Sequence, residues 1–395
     1  MNYEVVIVGA GSAGISVASR LIKGSPDLKG KISIVDPAKK HYYQPLWTLV
    51  GAGEAKKEST ERDQGSLIPD GVDWIQEAVV TIDPDRNTLT TDKESVIHYH
   101  FLVMAAGIQV NWNQIKGLEE AIGKEGVCSN YAFEYADSTW ESIRQYKGGN
   151  AIFTHPNTPI KCGGAPQKIM YLADDAFRKA GVRKQGEIIF ASASDSVFAV
   201  EKYAKTLENV IERKGIQTKY KRNLIEVDLG NKLAVFENLE TGEMEKFPYS
   251  LLHVVPPMSA PAFIAKSKLA DEAGWVDVDP YTLQHKKYKN VFGIGDCANL
   301  PTSKTGAAIR KQAPVTAGNL ISLMNGKPLT LKYDGYTSCP LITGINRLVL
   351  AEFTYGNEPA VTFPFDQSKE RRSMYILKKN ILPTMYWKGM LKGIM

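Results

Sequence analysis

The sequence predicts an α/β protein of two parallel-sheet units followed by a basic, amphipathic C-terminal region. Three observations predict it. A strand, a glycine-rich turn, a helix, a second strand and an acid follow one another between Glu4 and Asp36. A strand–helix–strand–helix layout recurs between Ala151 and Lys214. Residues 369–395 carry apolar stripes at helical spacing among seven basic residues. At 395 residues the chain exceeds one ordinary core, so two or three domains are expected. Its 43% hydrophobic and 23% charged residues are those of a folded globular protein. A net charge of +5 without a zinc-finger or RNP pattern does not point to nucleic acid.

The chain has four cysteines, too few for a secreted disulfide scaffold. It opens Met-Asn-Tyr-Glu with no signal peptide, and no apolar run is long enough to span a bilayer. A reducing, cytoplasmic compartment is expected, where a cysteine pair is more often catalytic than structural.

In the first unit, Glu4 to Val8 reads as a buried parallel strand. Gly9-Ala-Gly-Ser-Ala-Gly14 follows, then a helix from Ala13 to about Lys23 and a strand from Lys31 to Val35 ending in Asp36. The glycines permit a tight turn and let a pyrophosphate approach the helix N-terminus. Asp36 would accept a ribose hydroxyl. This is a Rossmann-like dinucleotide fingerprint with every part in place.

The second unit repeats the layout: a strand at Ala151 to Thr154, a helix at Gln167 to Ala180 with Pro166 in its first turn, a strand at Glu187 to Ala191, and a helix from Ser196 to Lys214. A pyridine nucleotide would need glycines after the second of these strands. The chain offers Ala191-Ser-Ala-Ser-Asp-Ser196 instead. Side chains would crowd the phosphates and Asp195 would repel them. The second nucleotide site is expected to be degenerate, so electrons must enter from elsewhere.

Cys162 lies in Ile-Lys-Cys-Gly-Gly-Ala-Pro-Gln-Lys, between Lys161 and Lys168 and before a helix start. Cations and a helix N-terminus both favour thiolate over thiol. Cys339 lies in Tyr336-Thr-Ser-Cys-Pro-Leu-Ile-Thr343. A pair so far apart in sequence can meet only through the fold, and Cys339 also fits a buried small hydrophobe. Cys297 reads as packing, and Cys128 stands outside any chemical motif. His155, His253 and His285 read as packing or surface residues. Metal ligation is not expected.

Two apolar segments, Phe101-Leu-Val-Met-Ala-Ala-Gly107 and Asn290-Val-Phe-Gly-Ile-Gly-Asp296, resemble the later sequence marks of flavoproteins with two dinucleotide domains. That resemblance implies FAD on residues 1–110 completed by 275–330. Residues 111–274 would form the second, degenerate domain and 331–395 the C-terminal region.

The segments Lys161-Cys-Gly-Gly-Ala-Pro-Gln-Lys-Ile-Met-Tyr171, Tyr333-Asp-Gly-Tyr-Thr-Ser-Cys-Pro-Leu341, His41-Tyr-Tyr-Gln-Pro-Leu-Trp-Thr-Leu-Val-Gly51, Asn299-Leu-Pro-Thr-Ser-Lys-Thr305 and Phe363-Pro-Phe-Asp-Gln-Ser-Lys-Glu-Arg371 resemble sulfide:quinone oxidoreductases of the mitochondrial-type branch. The likeness runs over nearly the whole chain. It implies a redox pair of Cys162 and Cys339, bridged by a disulfide or a sulfur-extended bridge. It implies FAD held by Gly9, Gly11, Ser12, Ala13, Gly14, Asp36, Gln44, Val79, Ala106, Gly107, Asp296, Lys304, Thr305, Gly306 and Ala307. Hydrosulfide would attack the bridge, Cys339 would carry the persulfide, and the Cys162 thiolate would engage the flavin C4a. The outer sulfur would leave to sulfite, glutathione, coenzyme A or another sulfide, and the reduced flavin would reduce ubiquinone or menaquinone. Lys304 or Lys311 could stabilise charge on the reduced flavin.

The C-terminal segment reads as an amphipathic helix lying on a membrane surface and broken at Pro383. Truncation from about residue 380 is expected to release the protein from membranes and leave FAD bound. Phe353, Phe363 and Phe365 are candidates to line a quinone pocket. The expected location is peripheral: the cytoplasmic face of a bacterial membrane, or the inner mitochondrial membrane for a processed eukaryotic form. A homo-oligomer is compatible with the sequence. Competing readings are a type II NADH:quinone dehydrogenase, which would need an intact second fingerprint, an exported flavocytochrome sulfide dehydrogenase, and a non-catalytic flavin sensor, which would leave the Cys162 loop unexplained.

Overall fold

A computed structural model describes residues 1–395. The run Val5-Val6-Ile7-Val8 is buried on both faces, as a central parallel strand demands. It pairs in parallel with Ile32–Val35 on one side and Val96–Met104 on the other. Val72–Ile75 adds to the Ile32–Val35 edge, and Val291–Gly293 joins Val96–Met104 from far along the chain. Thr88–Thr91 and Val79–Asp83 continue the sheet antiparallel. The carboxyl ends of the central strands therefore bring together Gly9, Ala105 and Ile294, where a doubly wound sheet binds its ligand.

A second sheet places Val127–Cys128, Leu251–His253, Gly149–His155, Gly186–Ser192 and Gln217–Tyr220 side by side in parallel. A three-stranded antiparallel sheet of Arg222–Asp228, Leu233–Asn238 and Met244–Pro248 follows it. The helix expected from Ser196 starts later, spanning Glu201–Lys214. Serines compete for backbone groups: the Ser192 hydroxyl accepts from Ser194 N–H and bends the chain out of helix. The hairpin Thr337–Gly344 and Arg347–Phe353 packs against the Ala165–Lys179 helix. That packing is what carries Cys339 towards Cys162.

Pro383 does not break the C-terminal helix. Helical turns run without interruption over residues 372–390, with π turns at Leu377–Ile381 and Tyr386–Met390. The wider π turn before Pro383 relieves the clash its ring would make with the preceding turn. Each π turn also adds a residue and rotates the helix face, so spacing of 3.6 misjudges which residues point inward. Tyr386, Met390 and Leu391 are buried against the body. The Ser12 hydroxyl and the Tyr386 hydroxyl hydrogen-bond at 2.7 Å, and Ser19 Oγ donates to Leu391 C=O at 2.7 Å.

These contacts reverse the truncation expectation. Three buried apolar side chains contribute on the order of 5 kcal/mol, and they lie on the helix that follows the glycine loop. A chain ending at residue 379 should lose thermal stability and release the FAD that the resemblance implies, measured by differential scanning fluorimetry and ultrafiltration. A truncated chain that keeps stoichiometric flavin at the same melting temperature would refute the interlock.

Candidate active site

The glycine loop divides its labour. Gly9 has φ +104°, and a Cβ there would stand 2.5 Å from Ala105 C=O. A Cβ on Gly14 would overlap Gly9 C=O. Those two glycines serve the turn and the close helix–strand packing. Gly11, Gly107, Gly163 and Gly306 differ: a Cβ on any of them would meet nothing within 4 Å. Their open faces suit a bulky ligand at the sheet's carboxyl edge.

Acids frame this space. Asp36 accepts from Ala10 N–H at 2.6 Å and Ala38 N–H at 2.8 Å. Burial raises its pKa against those two bonds. The Asp296 carboxylate makes no hydrogen bond within the protein, and burial raises its pKa although Lys304 and Lys161 oppose the shift. An unpartnered acid at a strand end fits a hydroxylated chain such as the ribityl of FAD. Val79 is buried in the same apolar cluster as Val8 and Val35, while Ala106 is half-buried. Gln44 is exposed in the 3-10 turn Gln44–Leu46. Thr305 caps the Gly306–Met324 helix by accepting from Ala308 N–H at 3.1 Å, with Ala307 in its first turn. Ser12 and Ala13 begin the Ser12–Gly24 helix.

Lys304 sits otherwise than expected. Its ammonium donates to the carbonyls of Asp296 (2.7 Å) and Ala298 (3.0 Å) and lies over the Trp275 ring. It fixes the Gly295–Ala298 turn while its own backbone carbonyl accepts from Cys162 N–H at 2.8 Å. Lys311 is exposed, beside Tyr336. Of the quinone-pocket candidates, Phe353 is buried core packed on Phe198, whereas Phe363 and Phe365 stack on each other, half-buried.

The fold brings Cys162 and Cys339 together, with their sulfurs 3.6 Å apart. Both are free thiols, in hydrogen-bond contact. Cys162 has φ +59°, a left-handed conformation that side chains seldom adopt, held by the Lys304 carbonyl on one side and Ala165 N–H on the other. Lys168 Nζ stands 3.1 Å from Cys162 Sγ. The hydrogen bond from Cys339 draws the Cys162 pKa down, burial opposes it, and the Lys168 charge adds to the lowering. Cys339 is pushed up as the proton-bearing partner. Burial would lower Lys168, but the charge it faces raises it overall. In the reduced pair, charge is therefore favoured on Cys162 and the proton on Cys339.

Comparison with known proteins decides the family. The chain is 49% identical to the mitochondrial sulfide:quinone oxidoreductase of Mus musculus over 99% of its length and 87% of that protein. The chain belongs to the sulfide:quinone oxidoreductase family. The Schizosaccharomyces pombe mitochondrial enzyme is 44% identical, covering 98% of this chain and 89% of that one. The model for pyridine nucleotide-disulphide oxidoreductases matches residues 3–143. The crystal structure of the sulfide:quinone oxidoreductase of Aquifex aeolicus superposes with a TM-score of 0.84 at 21% identity, over 99% of this chain and 92% of that one, and so shares the fold.

Sequence reasoning missed several residues in this family member's site. Lys378 reads as a membrane-facing cation, yet it is buried, donates to Pro45 C=O at 2.8 Å, and is pushed down to about 7 by burial and then by Lys168. Tyr386 binds both Ser12 and the His41 ring, and burial lowers His41 to about 4. Gly164 gave no signal, but a Cβ there would lie 2.7 Å from Cys339 Sγ and overlap Leu341. Cys128 and Cys297 are buried and pushed up, to about 12 and about 11. Burial likewise lowers His155, His253 and His285, so none is a charged relay at neutral pH.

Two outcomes follow from this geometry. Gly164→Ala should keep FAD bound but push Cys339 off Cys162, slowing flavin bleaching by sulfide in stopped-flow absorbance by a factor on the order of a hundred. Bleaching at the parent rate would show that the contact is unnecessary. In the reduced protein, alkylation of Cys162 by iodoacetamide should depend on pH far less than that of an ordinary thiol between neutral pH and about pH 9. In Lys168→Met the rate at neutral pH should fall on the order of tenfold and climb more steeply with pH, the Cys339 hydrogen bond still holding part of the lowering. An unchanged profile in that variant would remove Lys168 from the account.

Proposed function

We propose that this chain oxidises hydrosulfide at Cys162 and Cys339 and delivers two electrons, through FAD, to a membrane quinone. The observation that carries the reading is the thiolate–thiol pair, with its lysine at 3.1 Å, beside the open faces of Gly163 and Gly306. FAD bound in the cradle supplies a two-electron acceptor that quinone can reoxidise. In the oxidised resting state the two cysteines share a sulfur bridge. Hydrosulfide attacks the Cys339 sulfur, forming a Cys339 persulfide and releasing Cys162 as thiolate. Lys168 stabilises that leaving group, because a lower thiol pKa speeds departure. A small nucleophile (sulfite, glutathione, coenzyme A or a second sulfide) then takes the outer sulfur and leaves a Cys339 thiol. The pair loses two electrons and a proton as the bridge re-forms.

FAD would be held by Gly9, Gly11, Ser12, Ala13 and Gly14 at the pyrophosphate, by Asp36 at the adenosine ribose, and by Asp296 at the ribityl chain. Gln44, Val79, Ala106, Gly107, Lys304, Thr305, Gly306 and Ala307 would complete the lining. The domain division proposed is 1–110 with 275–330 for FAD, 111–274 for the degenerate unit, and 331–395 for the second cysteine and the membrane face.

No helix is long and apolar enough to cross a membrane. The 372–390 helix instead exposes Ile376 and Ile381 beside Arg372 and Lys388, and Ile394 follows. Apolar side chains among cations support a helix lying in the bilayer interface, where quinone is reached. The relatives named above are mitochondrial, which supports an inner mitochondrial membrane in a eukaryote; in a bacterium the corresponding place would be the cytoplasmic face of the membrane.

Cys162→Ser tests the reading. The variant should purify yellow, with FAD bound, and its flavin should no longer bleach with anaerobic sulfide. Bleaching at the normal rate would overturn the thiol route.

A further inference from the structure

A cleft of about 330 Å³ opens at the foot of the C-terminal helix, away from the cysteines. Arg178, Arg213, Lys214, Arg347, Asp175 and Ile345 line it. The ends of the Ala165–Lys179 and Glu201–Lys214 helices supply Arg178, Arg213 and Lys214, as expected for cations near helix C-termini. The 344–347 turn supplies Ile345 and Arg347.

Charge in this cleft does not balance. Buried Asp174 receives Arg178 at 2.8 Å, Arg183 at 2.7 Å and Lys214 at 2.9 Å, and Lys214 also meets Asp175 at 2.6 Å. Glu370 is taken by Arg213 at 2.7 Å. Arg347 has no carboxylate within ion-pair distance and is exposed. Four cations thus share three carboxylates and Arg347 has none, while Arg178 and Arg213 keep nearly half of their side chains in solvent. Fixed arginines with donors to spare suit a phosphate, which they can clasp in a fork.

Position identifies the source of the phosphate. Arg371 N–H donates to Leu348 C=O, so the helix of the membrane face leaves directly from this cleft. Ile345, 37% exposed, lines the cleft among the cations, and Ile376, 42% exposed, lies open on the first turns of the helix that starts from it. A phosphate in solution has no use for exposed isoleucines; a headgroup with acyl chains does.

We propose that this cleft binds the phosphate headgroup of an anionic phospholipid. Arg347, Arg178 and Arg213 contact the phosphate, and Ile345 and Ile376 lie against the acyl chains. The inference rests on the reading that the 372–390 helix lies on a bilayer, and adds a lipid-selective contact to it.

The test is flotation of the FAD-loaded protein with vesicles of pure phosphatidylcholine and vesicles containing phosphatidylglycerol. The parent should prefer the anionic vesicles. Arg347→Glu, on an exposed turn, should reduce binding to them on the order of tenfold, and Arg178→Gln less. Lys246→Glu, exposed on the three-stranded sheet, should do neither. Binding to phosphatidylcholine should stay unchanged in all three. Equal binding of the parent to both vesicles, or an unchanged preference in Arg347→Glu, overturns the headgroup site while leaving membrane attachment standing. Failure of the parent to float with either vesicle overturns the attachment reading too. Inorganic phosphate at millimolar level that abolishes the preference for anionic vesicles without any effect of Arg347→Glu would also contradict it.

Discussion

The Lys168–Cys162 contact sets an ammonium against a sulfur in a site closed off by the hairpin of Cys339 and by the C-terminal helix. A charge taken out of water is stable only when paired. Lys168 is buried, so it needs the thiolate as much as the thiolate needs it. Neither side chain would hold its charge alone at this depth. The surrounding structure serves that pairing. The left-handed turn at Cys162 aims the sulfur, Gly164 clears the approach of Cys339, and the first turn of the Ala165–Lys179 helix brings Lys168 round to it.

Under the proposed function, the same region would let one chain join sulfur chemistry to a bilayer. The C-terminal helix does not hang from the body. It places Lys378 near the cysteines and Tyr386 on the glycine loop, while its outer side keeps Ile376 and Ile381 in solvent. Sulfur site, proposed flavin cradle and proposed membrane face therefore share one short element. Lys378, near neutral pKa, is charged below about pH 7 and loses its proton above it. The positive potential around the cysteines thus weakens as pH rises, with Lys168 left as the permanent cation.

Much of this was legible in the sequence, for physical reasons that can be named. Gly9 to Gly14 with Asp36 announce themselves because a turn with φ +104° and a close helix–strand packing exclude side chains. The serines at 192–196 are read as crowding a second phosphate site, and the structure adds only that they delay the helix that follows. Cys162 was legible from its neighbours, and Cys339 only from resemblance, since the strand pairing that delivers it leaves no local mark. What stayed hidden depends on long-range packing. Lys378 and Tyr386 sit on a helix whose π turns rotate its faces away from the expected spacing. Lys304 looked like a partner for the flavin and proves to be tied to backbone carbonyls. The late start of the Glu201–Lys214 helix came from side-chain bonding by serine, which propensity does not report.

The central claim is that electrons enter through the cysteine pair and not through the second nucleotide unit. The most direct measurement mixes the flavin-loaded protein anaerobically with sulfide, and separately with NADH, and follows the flavin absorbance band. The account predicts rapid bleaching by sulfide, recovery of the band on adding quinone, and no bleaching by NADH. Bleaching by NADH at a comparable rate, or none by sulfide, would contradict it.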